Sequence, residues 1–210
     1  MVKRRATDSP NTLFPMHKSL EDLKMEAEKC KACDLWKHAT QTVFGEGSPK
    51  AKVMLIGEQP GDQEDLQGLP FVGPAGKLLD SALTDAGIDR KKVYVTNAVK
   101  HFKWEPRGKR RIHKKPNSTE VAACRPWLDA EIAALKPKVV VCLGATAAQM
   151  LLGRAFRVTE QRGEFVKSEL APFVMATVHP SSILREPDEK TRHDAMKRFI
   201  ADLKKIVHLL

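Results

Sequence analysis

The chain has 210 residues and a formal net charge of +10 at pH 7, with a sequence pI of about 9.5. A chain of this length can bury a core that is stable without disulfides, so we expect one globular domain and, without any repeat or coiled-coil pattern, a monomer. No segment approaches the roughly 18 consecutive apolar residues of a membrane helix, and the N-terminal segment lacks a signal-peptide core. These properties exclude a membrane protein and predict a cytoplasmic one whose surplus positive charge attracts a polyanion.

The alternation of apolar runs and amphipathic stretches along the chain predicts an α/β fold. Residues 1–19 mix charge, Pro and Ser without periodicity, which predicts a loose tail before a single domain over residues 20–210. After a helix predicted for residues 20–31, four apolar runs rich in β-branched residues are typical of buried parallel strands: 53–57, 93–98, 139–144 and 173–178. Amphipathic stretches separate them, and a closing helix is predicted for 194–208. We therefore expect a short, mainly parallel four-stranded sheet with helices on both faces.

Polar and aromatic side chains cluster where these strands end. The first strand runs into the sequence GEQPG, which contains Glu58, the second ends at Asn97, and the fourth runs into HPSS, which begins at His179. In open α/β sheets, ligands bind beyond the carboxyl ends of the strands. Phe71, between two rigid turns, can stack on a base, and Asn97 can offer a donor and an acceptor to a planar ring. Each residue also has an ordinary explanation as a turn or core residue.

A basic segment follows the second predicted strand. Between residues 100 and 115, eight cations are opposed only by Glu105. The cations are Lys100, Lys103, Arg107, Lys109, Arg110, Arg111, Lys114 and Lys115. This concentration predicts a phosphate-contacting loop, whereas a generally solvated basic surface is the alternative.

The four cysteines form a candidate metal site. Cys30 and Cys33 make a C-x-x-C pair, Cys124 lies near the start of a predicted helix, and Cys142 lies in the third predicted strand. Four thiolates can hold zinc or an iron-sulfur cluster, and the spacing does not separate the two. The alternative is that Cys124 and Cys142 are ordinary buried small residues.

Five features in order resemble the uracil-DNA glycosylase superfamily, in its iron-sulfur family 4 branch: GEQPG, LPFVGPAG, VTNAVKH, HPSS and the four cysteines. The resemblance extends over nearly the whole chain from Cys30 onward. It implies a three-layer α/β/α fold and a [4Fe-4S] cluster on Cys30, Cys33, Cys124 and Cys142. It also implies uracil-containing DNA as the partner, with single strands accepted.

The resemblance assigns roles to the residues at the strand ends. The base must leave the stack before its glycosidic bond can be reached, so the family implies a pocket for a flipped uracil. By motif, Phe71 stacks on uracil and Asn97 reads its polar edge. His179 hydrogen-bonds the uracil O2 and stabilises the departing anion, as an oxyanion hole does. Glu58 and Gln59 line the reacting face, with Gln59 among the uracil-binding residues.

The segment KRRIH at residues 109–113 resembles a loop of the UdgX branch, which becomes covalently joined to uracil-DNA, and GEQPG is also the form found in that branch. This implies that a neutral His113 attacks the sugar C1′ while its other nitrogen passes a proton toward Glu58 or a water. We expect neighbouring cations to lower the pKa of His113. The residues predicted to contact DNA phosphates are Lys109, Arg110, Arg111, Lys114, Ser181 and Ser182.

Two other functions remain open from the sequence. The first is a conventional family 4 glycosylase that uses water as its nucleophile, in which His113 is one more phosphate contact. The second is a non-catalytic nucleic-acid-binding module with a structural iron-sulfur cluster.

Overall fold

The computed structural model of the protein describes residues 18–210, so residues 1–17 of the predicted tail lie outside the described residues. The described chain begins just before a helix that Ser19 caps, because the Ser19 hydroxyl accepts a hydrogen bond from the Asp22 N–H at 3.1 Å.

Eight α-helices and three short 3-10 turns are formed by residues 18–210. The helices are α1 (Leu20–Ala27), α2 (Asp62–Gln67), α3 (Pro74–Ala86), α4 (Ser118–Leu135), α5 (Ala145–Leu152), α6 (Val158–Gln161), α7 (Pro180–Leu184) and α8 (Glu189–Lys204). The 3-10 turns are Asp34–Lys37, Arg90–Lys92 and Val207–Leu209. None of the helices described is long and apolar enough to cross a bilayer.

Five strands form the central sheet. They are β1 (Val53–Gly57), β2 (Val93–Asn97), β5 (Val139–Leu143), β6 (Phe165–Val166) and β7 (Phe173–Thr177), in the order β2-β1-β5-β7-β6. The four predicted strands are parallel to one another and begin where the sequence places them, which confirms the fold class. The predicted count of four misses β6, an antiparallel edge strand. Two residues are too few to show a period, so only the pairing with β7 reveals it.

Apolar side chains alternate between the two faces of the sheet and give three layers. Val53 and Leu55 lie in a core with α3, α7 and α8. Met54 and Ile56 lie in a second core with α4, α5 and α6. Both faces of the strands are buried, as helices on both sides of a parallel sheet require.

A separate antiparallel hairpin stands where the sequence predicts a basic loop. It consists of β3 (Trp104–Arg107) and β4 (Arg110–His113), joined by a two-residue turn in which Gly108 has a φ of 61°. The hairpin side chains are mostly exposed or half-buried, so no apolar alternation marks these strands in the sequence. The hairpin places His113 at its base, opposite Trp104.

Candidate active site at the carboxyl ends of the strands

A cleft of about 810 Å³ opens at the carboxyl ends of the parallel strands. The predicted pocket residues share this cleft with the hairpin base and with part of α7. Residues that line it include Glu58, Gln59, Phe71, Asn97, His113, Lys115, Gly144, His179, Ser181, Ser182 and Arg185. The structure therefore brings together side chains from four strand ends and from the hairpin.

Phe71 and Asn97 close over the backbone of Gly57, the last residue of β1. A Cβ atom on Gly57 would lie 2.4 Å from Asn97 Oδ1 and 2.7 Å from Phe71 Cζ, which is closer than any side chain tolerates. Phe71 itself has a φ of 58°, the left-handed region that a bulky residue rarely adopts. Both side chains are buried, so the ring and the amide form a fixed floor for the cleft.

His179 is held as a neutral hydrogen-bond donor. Its Nδ1 accepts from the Ser181 backbone N–H at 3.2 Å, so the ring proton belongs on Nε2. Burial lowers the pKa of His179 to about 4, and Arg185, together with His113 when that ring is protonated, adds to this effect. Its ring stacks near Phe71, with the centroids 6.1 Å apart and the planes 28° apart. An uncharged N–H donor thus lies beside the aromatic floor.

Lys100 does not belong to the phosphate-contacting surface that the sequence predicts. Its side chain is 1% exposed and forms a salt bridge with the buried Glu131. The ammonium also donates to Thr96 Oγ1 at 2.6 Å and to the Asn97 carbonyl at 2.8 Å. The charge is therefore neutralised inside the protein, where it fixes the end of β2 that carries Asn97.

His113 reaches the rim of the cleft from the hairpin base. Its Nε2 lies 3.5 Å from Glu58 Oε1, and its side chain is 49% exposed. Glu58 is in turn fixed by a hydrogen bond from Thr146 Oγ1. The pKa of His113 is lowered mainly by burial and further by Arg185, while Glu58 opposes the shift. The predicted direction is correct, but its principal cause is burial and the nearby cation is Arg185.

Gln59 binds the hairpin through its amide group. The amide nitrogen donates to the carbonyls of Lys103 at 3.2 Å and Lys114 at 3.0 Å, and the amide oxygen accepts from the Lys103 N–H at 3.1 Å. Lys103 and Lys114 flank the Trp104–His113 pair at the hairpin base. Gln59 thus positions His113, and its predicted contact with the base stays a prediction.

The hairpin cations have different partners. Arg111 bonds to Asp62 at 2.5 Å and to Asp65 at 2.6 Å, with its guanidinium carbon 5.5 Å from the ring centre of Trp104. Lys114 pairs with Glu105 at 2.6 Å. Lys109 and Arg110 are exposed around the hairpin turn. Arg111 therefore anchors the hairpin to α2, and the phosphate contacts predicted for all these cations stay predictions.

Sequence reasoning missed Thr146 and Arg185. Thr146 lies two residues after Gly144, at the carboxyl end of β5. Ligands bind beyond the carboxyl ends of parallel strands, and this rule applies to β5 as it does to the other three strands. Arg185 is the C-cap of α7, one short helix after His179. Its effect on the two histidines depends on tertiary proximity, for which the sequence carries no signal.

Three of the four cysteines lie in two small apolar clusters outside the central sheet, and the fourth lies within the sheet. The Cys124 S–H donates a hydrogen bond to Cys33 Sγ, which lowers the pKa of Cys33 to about 6. Cys30 Sγ accepts from the Trp127 indole N–H at 3.1 Å. Cys142 is fully buried in β5, within the apolar core on the α4 side of the sheet.

Comparison with known proteins finds one family over most of the chain. A family model described as the uracil DNA glycosylase superfamily matches residues 44–204. A type-4 uracil-DNA glycosylase of Sulfurisphaera tokodaii is 39% identical over 178 residues, covering 81% of this chain and 78% of its own. Relatives with the same description from Archaeoglobus fulgidus and Thermotoga maritima are each 36% identical, covering 88% and 86% of this chain and 93% and 91% of their own.

Proposed function

This chain belongs to the uracil DNA glycosylase superfamily, and we propose that it excises uracil from DNA and then captures the resulting sugar covalently through His113. Excision of uracil in DNA repair is the activity of its type-4 relatives. The capture step is the finer part of the proposal. One observation carries it, namely that His113 Nε2 stands 3.5 Å from Glu58 at the rim of the cleft.

The cleft provides the groups that a flipped uracil requires. The Phe71 ring offers a stacking face, and the Asn97 amide offers a donor and an acceptor to the pyrimidine edge. The Nε2–H of His179 donates to the uracil O2, where negative charge develops as the glycosidic bond breaks. A neutral imidazole can fill this role because its Nε2–H donates a hydrogen bond although the ring carries no positive charge.

His113 then bonds to the sugar. In this step the ring proton is on Nδ1, so Nε2, which lies at the rim of the cleft beside Glu58, carries the lone pair. The bond between C1′ and uracil N1 breaks, and its electron pair leaves with uracil. The Nε2 lone pair forms the new C1′–Nε2 bond, and the imidazolium loses its Nδ1 proton to water. Glu58, beside Nε2, stabilises the positive charge on the sugar and the ring before that proton leaves.

The family resemblance implies an iron-sulfur cluster, and the surroundings of three cysteines support the assignment of three of its ligands. Cys33 and Cys124 contact each other, and Cys30 lies against Trp127, one helical turn after Cys124 on α4. We propose a [4Fe-4S] cluster held by these three residues and one more ligand. Such a cluster would link the segment after α1 to helix α4, and no step of the reaction runs through it.

A denaturing gel tests the proposal. A single-stranded oligonucleotide with one uracil, mixed with the protein, should give a species that survives boiling in detergent. His113→Ala should abolish this species, because its side chain no longer supplies a nucleophilic nitrogen. His193→Ala, which removes an exposed histidine on α8, is the matched control and should leave the adduct intact.

The same assay separates the alternatives. Release of uracil over many turnovers without an adduct would indicate a conventional glycosylase with a water nucleophile. Binding that leaves the uracil-containing strand chemically unchanged would indicate a non-catalytic module. A uracil-free oligonucleotide in the same gel controls for non-specific cross-linking.

A further inference from the structure

We propose that His101, through Nδ1, takes the fourth ligand position of the cluster, in place of Cys142. The inference rests on the cluster proposed above but not on covalent capture by His113. It concerns which side chains surround the three clustered cysteines.

Cys142 lies in a part of the core that does not contain the other three cysteines. It is in β5, where its neighbours across the sheet are Ile56 on β1 and Ala176 on β7. It is 0% exposed, and burial alone accounts for the raised pKa of its thiol. Cys33 and Cys124 belong instead to a small core with Leu35 and Val99. A thiol inside a packed central strand is typical of a small buried apolar residue.

His101 is buried, and one of its ring nitrogens is unused. The residue is 4% exposed, and Nδ1 has no hydrogen-bond partner among residues 18–210. Nε2 lies 2.9 Å from Thr42 Oγ1, whose single hydrogen is donated to the Ala27 carbonyl at 3.0 Å. The Thr42 oxygen must therefore accept, so Nε2 carries the ring proton and Nδ1 carries a lone pair. A buried nitrogen without a partner is costly, and a metal ion would satisfy it.

Two sets of shared partners connect His101 to the cysteines. The Ala27 carbonyl that accepts from Thr42 also accepts from the Cys30 backbone N–H at 3.0 Å. The backbone N–H of Lys100, the residue before His101, donates to the Cys124 thiol. His101 is therefore joined through one atom of Ala27 to the Cys30 side and through its own chain neighbour to Cys124.

The chemistry of the ligand set is self-consistent. Each of the three thiols loses its proton and binds as a thiolate. A neutral imidazole binds through the Nδ1 lone pair and loses no proton. The Nε2–H remains bonded to Thr42, which is the outer hydrogen bond that orients a metal-bound histidine. Replacement of one thiolate by an imidazole leaves the cluster with one less negative charge from its ligands.

Pulsed electron paramagnetic resonance of the reduced wild-type holoprotein tests the proposal directly. A strongly coupled nitrogen on the cluster is the expected result, and it needs no variant that could fail to fold. Uniform nitrogen-15 labelling should change this coupling, which identifies the nucleus. A spectrum in which only weakly coupled backbone nitrogens appear would overturn the proposal.

Variants then identify the residue. His101→Cys should keep the iron and sulfide content and lose the strong nitrogen coupling. Cys142→Ala should keep the iron and sulfide content and also the nitrogen coupling. Loss of the cluster from Cys142→Ala, with the coupling retained in His101→Cys, would instead support Cys142. Wild-type protein that purifies without iron would contradict this proposal. The gel assay for the His113 adduct would still test covalent capture independently.

Discussion

At the residue scale, His113 and His179 share one positive neighbour, Arg185. It lowers the pKa of both, in addition to burial, which is the larger cause. The two rings need to be neutral for different reasons, since His113 attacks through a lone pair and His179 donates a hydrogen bond. Arg185 therefore helps both to remain neutral at a pH where an isolated histidine is partly charged.

Arg185→Gln should shift the pH dependence of capture. His113 attacks only when it is unprotonated, so the rate is lost as the pH falls through its folded pKa, which lies below the ordinary value of 6.5. Removal of Arg185 raises this pKa, and the acidic limb of the profile should move to higher pH. Single-turnover rates of adduct formation between about pH 5 and 8 measure the shift.

Lys115→Gln is the control for this prediction. Lys115 also lines the cleft, but it is not among the groups that shift the pKa of His113. Its removal should leave the midpoint of the acidic limb of the pH–rate profile unchanged. Superimposable profiles for Arg185→Gln and the wild type would show that burial alone keeps His113 neutral.

At the element scale, the β3–β4 hairpin depends on contacts outside itself. A two-stranded hairpin is marginally stable alone in water. Here its base is bound by Gln59, and Arg111 ties it to the carboxylates of Asp62 and Asp65. These contacts fix where the last residue of β4 lies, so the position of His113 is a property of the packed hairpin.

Gln59→Ala should impair capture more than excision. The variant removes three hydrogen bonds at the hairpin base, and a misplacement of about 1 Å can slow a reaction by about 100-fold. Uracil excision depends on the Phe71 and His179 side of the cleft and should fall less. Free uracil and detergent-stable adduct, quantified in the same reaction, measure the two steps.

Gln63→Ala is the matched control, since it removes an exposed glutamine from α2 without touching the hairpin. It should change neither quantity. An equal loss of uracil release and adduct in Gln59→Ala would mean that Gln59 contacts the base, as the family resemblance implies.

At the scale of the whole molecule, the net charge of +10 should govern the initial encounter with DNA. Not all the cations are available for it. Lys100 is paired inside the core and Arg111 with two carboxylates, while Lys109 and Arg110 are exposed around the hairpin turn. Burial and pairing therefore decide which charges can meet phosphates.

Affinity for a uracil-containing single strand should fall with salt, and the hairpin turn should account for part of the slope. In a His113→Ala background, which avoids the covalent step, Lys109→Gln with Arg110→Gln should make the plot of log affinity against log salt shallower by about 0.7 for each phosphate that the variant no longer neutralises. Fluorescence anisotropy at several salt concentrations measures the slope.

Lys197→Gln with Arg198→Gln removes the same charge from an exposed part of α8 and should change the slope less. Equal slopes for the two double variants would mean that the hairpin turn makes no phosphate contact and that only net charge matters.

The four parallel strands and the residues that follow them could be predicted from the sequence. Strands buried on both faces require continuous apolar runs, and the chain leaves such a strand at the sheet edge where ligands bind. Glu58, Phe71, Asn97 and His179 therefore appear in the cleft as expected. The edge strand β6 and the hairpin did not appear in the prediction, because neither has the length or the apolar period that burial imposes.

The sequence by itself determined the fold class, the family and the set of chemical groups in the cleft, because local composition and order encode them. Tertiary structure decided the partner of each group. Lys100 is neutralised in the core, Gln59 binds the hairpin, and Cys142 packs in the sheet away from the other cysteines. These outcomes depend on distances between segments far apart in the chain. No local pattern encodes such distances, so only the packed molecule reveals what each side chain contacts.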